Sequence, residues 1–573
     1  MSSAEISGLL EEIAVLLELK GENPFKIRAY RNAARKLEEV GSDLAERVER
    51  GSLEELEGIG KALAEKITAL ARTGRLEEYE RLRSETPEGL LDLLKVAGLG
   101  PKKVRALHEK LGIYSLDGLE KACRGNRIAM LEGFGLKTQE KILAGIANVR
   151  KNQDLFLFAE AIDLAEEVKN TISGWREVLQ VSLAGSLRRR NETVRDVDIV
   201  CSSRRPKAVM EKFTKLPGVV RVTEHGETKS RVVFERGLAF DLRVVTEEQF
   251  PFALQHFTGS REHNTKLRAL AKKKGFKLNE YGLFRGTKLS PQKDEKSIFR
   301  ALGLSFIPPE LREDRGEIER AARKRIPTLV ERSDLRGVFH VHSTYSDGRS
   351  TLTEMVEAAA DAGLTYIGIA DHSQTASYAG GLKEVAIGRQ RREIDRLAKE
   401  FPKFRIFHGI ESDILPDGSL DYPDRILRRF DFVIASVHSR FQMSEDEMTR
   451  RCLAALSNPH CTMLGHPTGR LLLERPAFAI DLRALIDRAS EQKKIIELNA
   501  HPQRLDLDWR WLGYAKDKGV RISINPDAHD TFGFEHLRFG IYAARKGGLE
   551  AKDVLNTMPA ERVENFLRGV SRG

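Results

Sequence analysis

Cysteine is scarce in this chain. Cys123, Cys201, Cys452 and Cys461 are the only 4 in 573 residues, and no two of them form a Cys-x-x-Cys pair. That scatter excludes a disulfide framework and fits small core residues in a reducing compartment. Long apolar runs are missing too, since nothing approaches the roughly 18 residues that a membrane-spanning helix needs. The opening Met1-Ser2-Ser3-Ala4-Glu5 lacks the basic and then apolar stretch of a secretion signal. A cytoplasmic protein without a membrane partner is therefore expected. Acidic side chains are outnumbered, with 85 Asp and Glu against 95 Lys and Arg. The resulting net charge of +10 favours a polyanionic partner without identifying one. A chain of this length predicts three or four domains, each large enough for its own core.

What is present begins with helices. Ile6, Leu9, Leu10, Ile13, Leu16 and Leu17 recur at three- and four-residue spacing, and residues 1 to about 150 continue in that manner. One pattern returns three times there: Leu56-Glu57-Gly58-Ile59-Gly60-Lys61, Val96-Ala97-Gly98-Leu99-Gly100-Pro101-Lys102-Lys103 and Leu131-Glu132-Gly133-Phe134-Gly135-Leu136-Lys137. Each copy opens a helix. Its glycines permit a tight turn, and the new helix offers free N–H groups and its positive dipole end to an anion. A single Gly-x-Gly is more often an ordinary helix–helix turn. Three copies with lysines behind them favour a grip on a phosphate backbone.

From about 151 the pattern changes. Phe156–Val168 reads as a helix, followed by strand-like runs at Val178–Leu183, Val197–Cys201, Val219–Val222, Arg231–Phe234 and Ala239–Val245. Asp196 and Asp198 alternate along a strand and so share a face. Asp241, in a second strand-like run, can supply a third carboxylate. Three such groups repel one another unless cations lie between them, and hard oxygen ligands suit Mg²⁺ or Mn²⁺ for in-line phosphoryl transfer. The turn Gly185-Ser186-Leu187-Arg188-Arg189 offers N–H groups and positive charge to phosphates. An Asp-x-Asp by itself is ordinarily a solvated strand edge; its coupling to this turn and to Asp241 reverses that balance.

The tail is rich in histidine, with 10 of the 14 lying after residue 336. Strand-like runs at Tyr366–Ala370, Arg405–Gly409, Phe432–Val437, Lys494–Leu498 and Arg521–Ile524 alternate with helices, which argues for a barrel of parallel strands. His340 and His342 alternate on a run of strand type. Asp347, His372, Glu411, His438, His466, Asp527 and His529 come after them, most just beyond an apolar run. Strand ends in a barrel share one mouth, so these residues meet there, and mixed imidazole and carboxylate ligands suit Zn²⁺, Mn²⁺ or Fe²⁺. A lone His after a strand is more often a hydrogen-bonded core residue. Nine ligand-type residues repeating one placement are hard to explain that way.

Residues 1 to about 316 resemble the family X DNA polymerases, the group within the nucleotidyltransferase superfamily that contains DNA polymerase beta. The glycine turns resemble the helix-hairpin-helix motif, and residues after 336 resemble the PHP (polymerase and histidinol phosphatase) domain, a distorted β/α barrel with a trinuclear metal site. The resemblance implies a multidomain layout. Residues 1–85 would form a helical lyase-like domain with the first hairpin, and 86–150 a fingers-like domain with the others. An α/β nucleotidyltransferase palm spans 151–245 and a thumb 246–316, with a linker at 317–336 and the PHP domain at 337–573.

The same resemblance assigns roles. Asp196, Asp198 and Asp241 become the metal-binding catalytic triad. Gly185, Ser186 and Arg189, with Phe257, Gly259, Asn264 and Arg268 of His256-Phe257-Thr258-Gly259-Ser260-Arg261-Glu262-His263-Asn264 and the helix beyond it, surround the incoming dNTP. The family usually has Tyr where His256 stands, which bears on base stacking and sugar selection. Gly58, Gly60, Gly98, Gly100, Lys102, Gly133 and Gly135 would hold DNA. Lys26 and Tyr30 match a 5′-phosphate site, and Lys66 the lysine that attacks an abasic sugar in the lyase members. The nine tail residues fill the family's ligand positions, with Glu411 as a bridge and up to three divalent metals. Asp347 stands where some members have His, and His408, His460, His501 and His536 match no ligand position. The resemblance thus implies a bacterial repair enzyme near the nucleoid, expected as a monomer. It would fill short gaps in gapped or nicked DNA bearing a 5′-phosphate, as in base excision repair, and trim ends by 3′–5′ exonuclease or phosphoesterase action. The alternative is a PHP nuclease whose polymerase half mainly clamps DNA.

Overall fold

The computed structural model describes residues 1, 3–40, 43–56 and 58–570, so Glu57 of the first glycine turn lies outside the described residues. Two compact units divide the chain, Met1–Asp154 and Leu155–Gly573.

The first unit is helical throughout its described residues and holds two cores. Ile6, Leu10, Ile13, Leu37, Ile67 and Leu70 are buried in one, and Leu93, Val96, Val104, Leu107, Leu119, Ile142 and Ile146 in the other. The glycine turns lead into the helices Lys61–Thr73, Pro101–Leu111 and Gly135–Asn152. Gly58, Gly98 and Gly133 share φ of +87°, +87° and +86°, which glycine adopts without the Cβ penalty. A Cβ on any of the six turn glycines meets nothing within 4 Å, so internal crowding does not demand glycine there. The backbone instead lies open to whatever approaches. Among the described residues no side chain caps the helices behind Gly60 and Gly100, so their first N–H groups are available to an anion. The third turn departs from the other two: Phe134 is the N-cap and Gly135, at φ +64°, begins the helix.

The second unit starts with a five-stranded sheet, the palm, built from β1 (Val178–Leu183), β2 (Asp196–Ser203), β3 (Val219–His225), β4 (Lys229–Phe234) and β5 (Ala239–Val245) in spatial order β1-β2-β5-β4-β3. Only the β2–β5 pair is parallel. The helix expected from Phe156 runs instead over Phe158–Ser173. Its start is set by the Glu160 carboxylate, which accepts the Leu157 N–H at 3.0 Å, while Phe156–Leu157 pairs with Thr193–Val194. The thumb comes next: helices Phe250–Thr258, Arg261–Lys273 and Glu295–Ala301, with a hairpin sheet of β6 (Lys277–Asn279), β7 (Gly282–Arg285) and β8 (Lys288–Ser290). Its core does not stop at residue 316. Ile318, Ala321 and Leu329 are buried with Phe252, Leu267 and Phe299, and Glu317 binds His263 Nδ1 at 2.6 Å. The expected linker 317–336 is thus in large part a thumb element; its many surface charges hide an apolar face.

The tail is a barrel of seven parallel strands in sequence order: β9 (Gly337–Val341), β10 (Tyr366–Ile369), β11 (Arg405–Asp413), β12 (Phe432–Ser436), β13 (Met463–Leu464), β14 (Ile495–Asn499) and β15 (Ile522–Asn525). Val341 bridges to Ala528, and the His342 N–H donates to the Ala528 carbonyl at 2.8 Å, so the first strand meets the chain just past the last. The sequence pattern did not reveal β13, which is only two residues long. It also suggested one regular strand face for His340 and His342. In fact β9 shifts register between Val338 and Val341, His340 sits at φ +58°, and the strand ends before His342. Both imidazoles still reach the barrel mouth, through the kink.

Palm and barrel share packing. Phe539 and Leu505 join the palm's buried cluster, and Phe158 meets Phe539 and Tyr542 edge-on at 6.2 and 5.7 Å. Around this seam Arg538 binds Asp163 through two nitrogens at 3.2 and 3.1 Å, and Arg510 pairs with Glu192 at 3.1 Å.

Candidate functional sites

In the palm, the parallel register of β2 and β5 sets Asp198 opposite Asp241, and Asp196 lies two residues back on the same face. Burial pushes the Asp198 carboxyl up to about 7, and the charges of Asp196 and Asp241 add to the effect. Arg231 on β4 lies opposite Asp241 and spans the group. One of its nitrogens donates to Asp241 at 2.6 Å and another to Asp196 at 3.2 Å. Sequence reasoning did not find Arg231. The signal was available, since a hairpin over β4 and β5 centred near Arg236 pairs 231 with 241. The donor set is all carboxylate and crowded, and it fits hard divalent cations.

Gly185 makes this closeness possible. It stands at φ +59°, and a Cβ there would lie 2.0 Å from Asp198 Oδ2. The short helix Gly185–Arg188 then aims two arginines at the thumb. Arg188 binds Thr258 Oγ1 at 2.6 Å and both Glu295 oxygens at 3.1 and 2.6 Å; the fully buried Arg312 holds Glu295 from behind at 2.6 Å. Arg189 donates to Glu313 at 2.9 Å and to the Thr258 carbonyl at 2.9 Å. Ser186 lies within the same turn. Phe257, Gly259, Asn264 and Arg268 gather where helices Phe250–Thr258 and Arg261–Lys273 meet. Asn264 is engaged locally, giving a hydrogen bond to the His256 carbonyl at 2.6 Å and accepting one from Gln255 at 2.9 Å. Arg268 contacts His256 Nδ1 at 2.7 Å, and Arg243 stacks over Phe257 with 4.5 Å to the ring centroid.

In the first unit Lys26, Tyr30 and Lys66 converge on Glu78, which sequence reasoning overlooked. Tyr30 donates to Glu78 at 2.6 Å, Lys26 pairs with it at 3.1 Å, and Lys66 binds both Glu78 and the Tyr30 hydroxyl, the latter at 2.5 Å. Burial opposes ionisation of Glu78, but the bonds from Lys66, Tyr30 and Lys26 hold its carboxyl down at about 2.

At the barrel mouth all nine tail residues come together. Their ligand atoms form overlapping groups: His342, Asp347, His372 and His529; His340, His466 and Asp527; His340, His342 and Glu411; and His372, Glu411 and His438, each within 4.8 Å. Glu411, 1 % exposed, belongs to two of these groups, as do His340, His342 and His372. One of its oxygens faces His340, His438 and His466 at 3.2, 3.3 and 3.0 Å, and the other faces His372 at 2.9 Å and His342 at 3.8 Å. Burial works against its charge, yet His438, His340 and His372 hold its carboxyl well below the usual range. His340 Nε2, both His342 ring nitrogens and His372 Nδ1 are buried and make no hydrogen bond of normal geometry. Orphaned imidazole nitrogens pointed at a common carboxylate are what a divalent-metal cluster needs, and this donor set fits one.

A supporting shell went unseen in the sequence. Glu497 accepts from His340 Nδ1 at 2.6 Å and from the His466 N–H at 2.7 Å, and Asn525 donates to it at 2.9 Å. Asp413 orients His438 at 2.6 Å, and Asn499 steadies Asp527 at 2.9 Å. Such partners fix the ring orientation of a ligating His. His408, His460, His501 and His536 belong to none of the described ligand groups; His408 instead contacts Gln390 at 3.0 Å, and the rings of His501 and His536 meet edge-on at 4.7 Å.

Known families match in the same order. A helix-hairpin-helix domain matches residues 1–76, a SAM-like helix-hairpin-helix tandem 90–148, a DNA polymerase beta thumb 253–313 and a PHP domain 339–501. The chain is 41% identical over 572 residues to a DNA polymerase/3′-5′ exonuclease PolX of Bacillus subtilis strain 168, covering 99% of this chain and 100% of that protein. Its tail is similar to probable phosphatases. One, from Caldanaerobacter subterraneus subsp. tengcongensis, is 29% identical over 41% of this chain and 93% of its own length. Another, from Caldicellulosiruptor saccharolyticus, is 31% identical over 33% and 78%. Among the described residues no helix is long and apolar enough to cross a membrane.

Proposed function

The chain belongs to the family X DNA polymerases that carry a PHP domain, and from that membership we propose how its two carboxylate-rich centres divide the work. The protein is a DNA polymerase and a 3′–5′ exonuclease. The palm joins a dNTP to a primer: the 3′-oxygen attacks the α-phosphorus in line, the α–β bridging P–O bond breaks, and pyrophosphate leaves. The barrel hydrolyses phosphodiester bonds at 3′ ends. The observation that carries this reading is the pairing of a complete carboxylate triad, Asp196, Asp198 and Asp241, with nine converging ligands in one chain.

Asp196 and Asp198 would hold both palm cations, Mg²⁺ or Mn²⁺, and Asp241 one of them. The nine barrel residues would hold up to three of Zn²⁺, Mn²⁺ or Fe²⁺, bridged by Glu411. When bound, such cations supply Lewis acidity for phosphoryl transfer. Ser186 and Arg189 bind the triphosphate. Phe257 and Gly259 shape the sugar pocket, and Asn264 and Arg268 face the base pair once released from their local bonds. The open glycine turns at Gly58, Gly60, Gly98, Gly100, Gly133 and Gly135, with Lys102, track the DNA backbone. Lys26 and Tyr30 receive a 5′-phosphate, and Lys66 is the nucleophile of a 5′-deoxyribose-phosphate lyase step. The substrate is then a short gap with a 5′-phosphate, and the setting is DNA repair by a monomer in the bacterial cytoplasm.

A 5′-labelled primer on a one-nucleotide gap tests the division of labour. Wild type should extend it with dNTPs and shorten it without them. D196A/D198A should lose only extension, and H340A/H342A only shortening. A wild type that shortens but never extends would leave the polymerase half as a DNA clamp.

A further inference from the structure

The barrel reaches the palm's nucleotide turn through one buried cation. Lys546 ends the helix Leu537–Lys546, and its side chain is 1% exposed. Its Nζ donates to Glu313 Oε1 at 2.5 Å and to the Arg189 carbonyl at 3.0 Å. The same Glu313 oxygen accepts from Arg189 Nε at 2.9 Å. The face of Trp509 closes over the ammonium with 4.5 Å to the ring centroid. Two cations from different domains therefore share one carboxylate oxygen. One of them, Arg189, directly succeeds the turn whose Gly185 touches Asp198.

This sharing sets what Arg189 is free to do. Glu313 is mostly buried, and a carboxylate at that depth needs a cation beside it. While Lys546 stays in place, Arg189 can exchange Glu313 for a phosphate oxygen without leaving that carboxylate unpaired. Without Lys546, Arg189 is the only cation bonded to Glu313 among the described residues, and leaving would orphan it. We propose that Lys546 of the barrel is a positioning residue for nucleotide binding in the palm: it holds Glu313 so that Arg189 can engage the triphosphate. The proposal rests on the reading of Arg189 as a triphosphate ligand.

Full-length variants on a one-nucleotide gap test it, with dNTP KM and kcat measured beside 3′–5′ shortening. K546M should raise dNTP KM by about tenfold, the loss of one charge-assisted contact, with kcat and shortening little changed. In K546M/E313Q the KM should return toward wild type, because a neutral amide no longer retains Arg189. E313Q alone should lower KM, a direction that damage to the fold does not produce, so the proposal stays testable even if K546M fails to fold. Unchanged KM in K546M, where R189A raises it, overturns the proposal. So does an equal loss of both activities that E313Q does not rescue. If R189A itself leaves KM unchanged, the triphosphate reading of Arg189 fails first.

Discussion

Asp198 and Asp241 occupy paired register positions on the two parallel strands of the palm, so their carboxylates are set side by side by backbone pairing alone. Burial, together with Asp196 and Asp241, pushes the Asp198 carboxyl up to about 7, which marks a site built for cations. Removing either carboxylate by D198A or D241A should lower primer extension at least ~10³-fold while 3′ shortening persists. Extension within tenfold of wild type in both variants would remove the triad from catalysis.

Gly185 gives a sharper test, because its substitution adds no charge. A Cβ there lies 2.0 Å from Asp198 Oδ2, on a backbone at φ +59°. G185A should therefore displace Asp198 and cost about 10²-fold in extension. Thermal melting should fall by the equivalent of about 1–3 kcal/mol, the cost of the strained backbone. Near-normal extension in a folded G185A would show that the turn tolerates a wider gap.

Glu497 touches no expected metal yet orients His340 and His466. E497Q should lower metal affinity of the barrel by roughly 10–100-fold, read as metal content after chelation and graded reconstitution. Shortening should fall with it and recover at high Mn²⁺, while extension stays intact. Equal metal content in E497Q and wild type would assign Glu497 to folding alone.

Acid stability should report the arginine–glutamate clamp between palm and thumb. Burial pushes the Glu295 carboxyl up, but Arg312 and Arg188 outweigh it and hold it at about 2, below its ordinary 4.5. A carboxyl depressed in the folded state stabilises fully above its unfolded pKa and loses that contribution as pH falls through the folded one. The contribution, about 3 kcal/mol from that difference, should disappear between pH 4.5 and 2. Melting of E295Q across that window should show a flatter pH dependence than wild type. Parallel curves would show that the clamp is not what acid breaks.

Much of both centres was legible because it depends on local pattern. Most barrel ligands stand just after apolar runs, and each glycine turn repeats the same Gly-x-Gly pattern. The hidden part depends on pairing or distance. Arg231 meets Asp241 only through hairpin register. Glu78 lies on a helix remote in sequence from Lys26, and Glu497 reads as one more polar residue in a strand. The kink at His340 left no mark, because no glycine announces its φ of +58°. The charged run after residue 316 hid Ile318 and Ala321, whose burial is decided by the thumb surface they meet.

The barrel closes only where the chain beyond β15 returns to β9, through Val341 and Ala528. The ligands take the same path, from His340 at the first strand to His529 beyond the last. During synthesis, then, the palm carboxylates are complete by Asp241, while the nuclease centre has no closed mouth until residue 529 has emerged. A chain that ends between those points holds the palm carboxylates but neither the closed mouth nor Lys546. The barrel mouth is thus the later of the two centres to be completed along the chain.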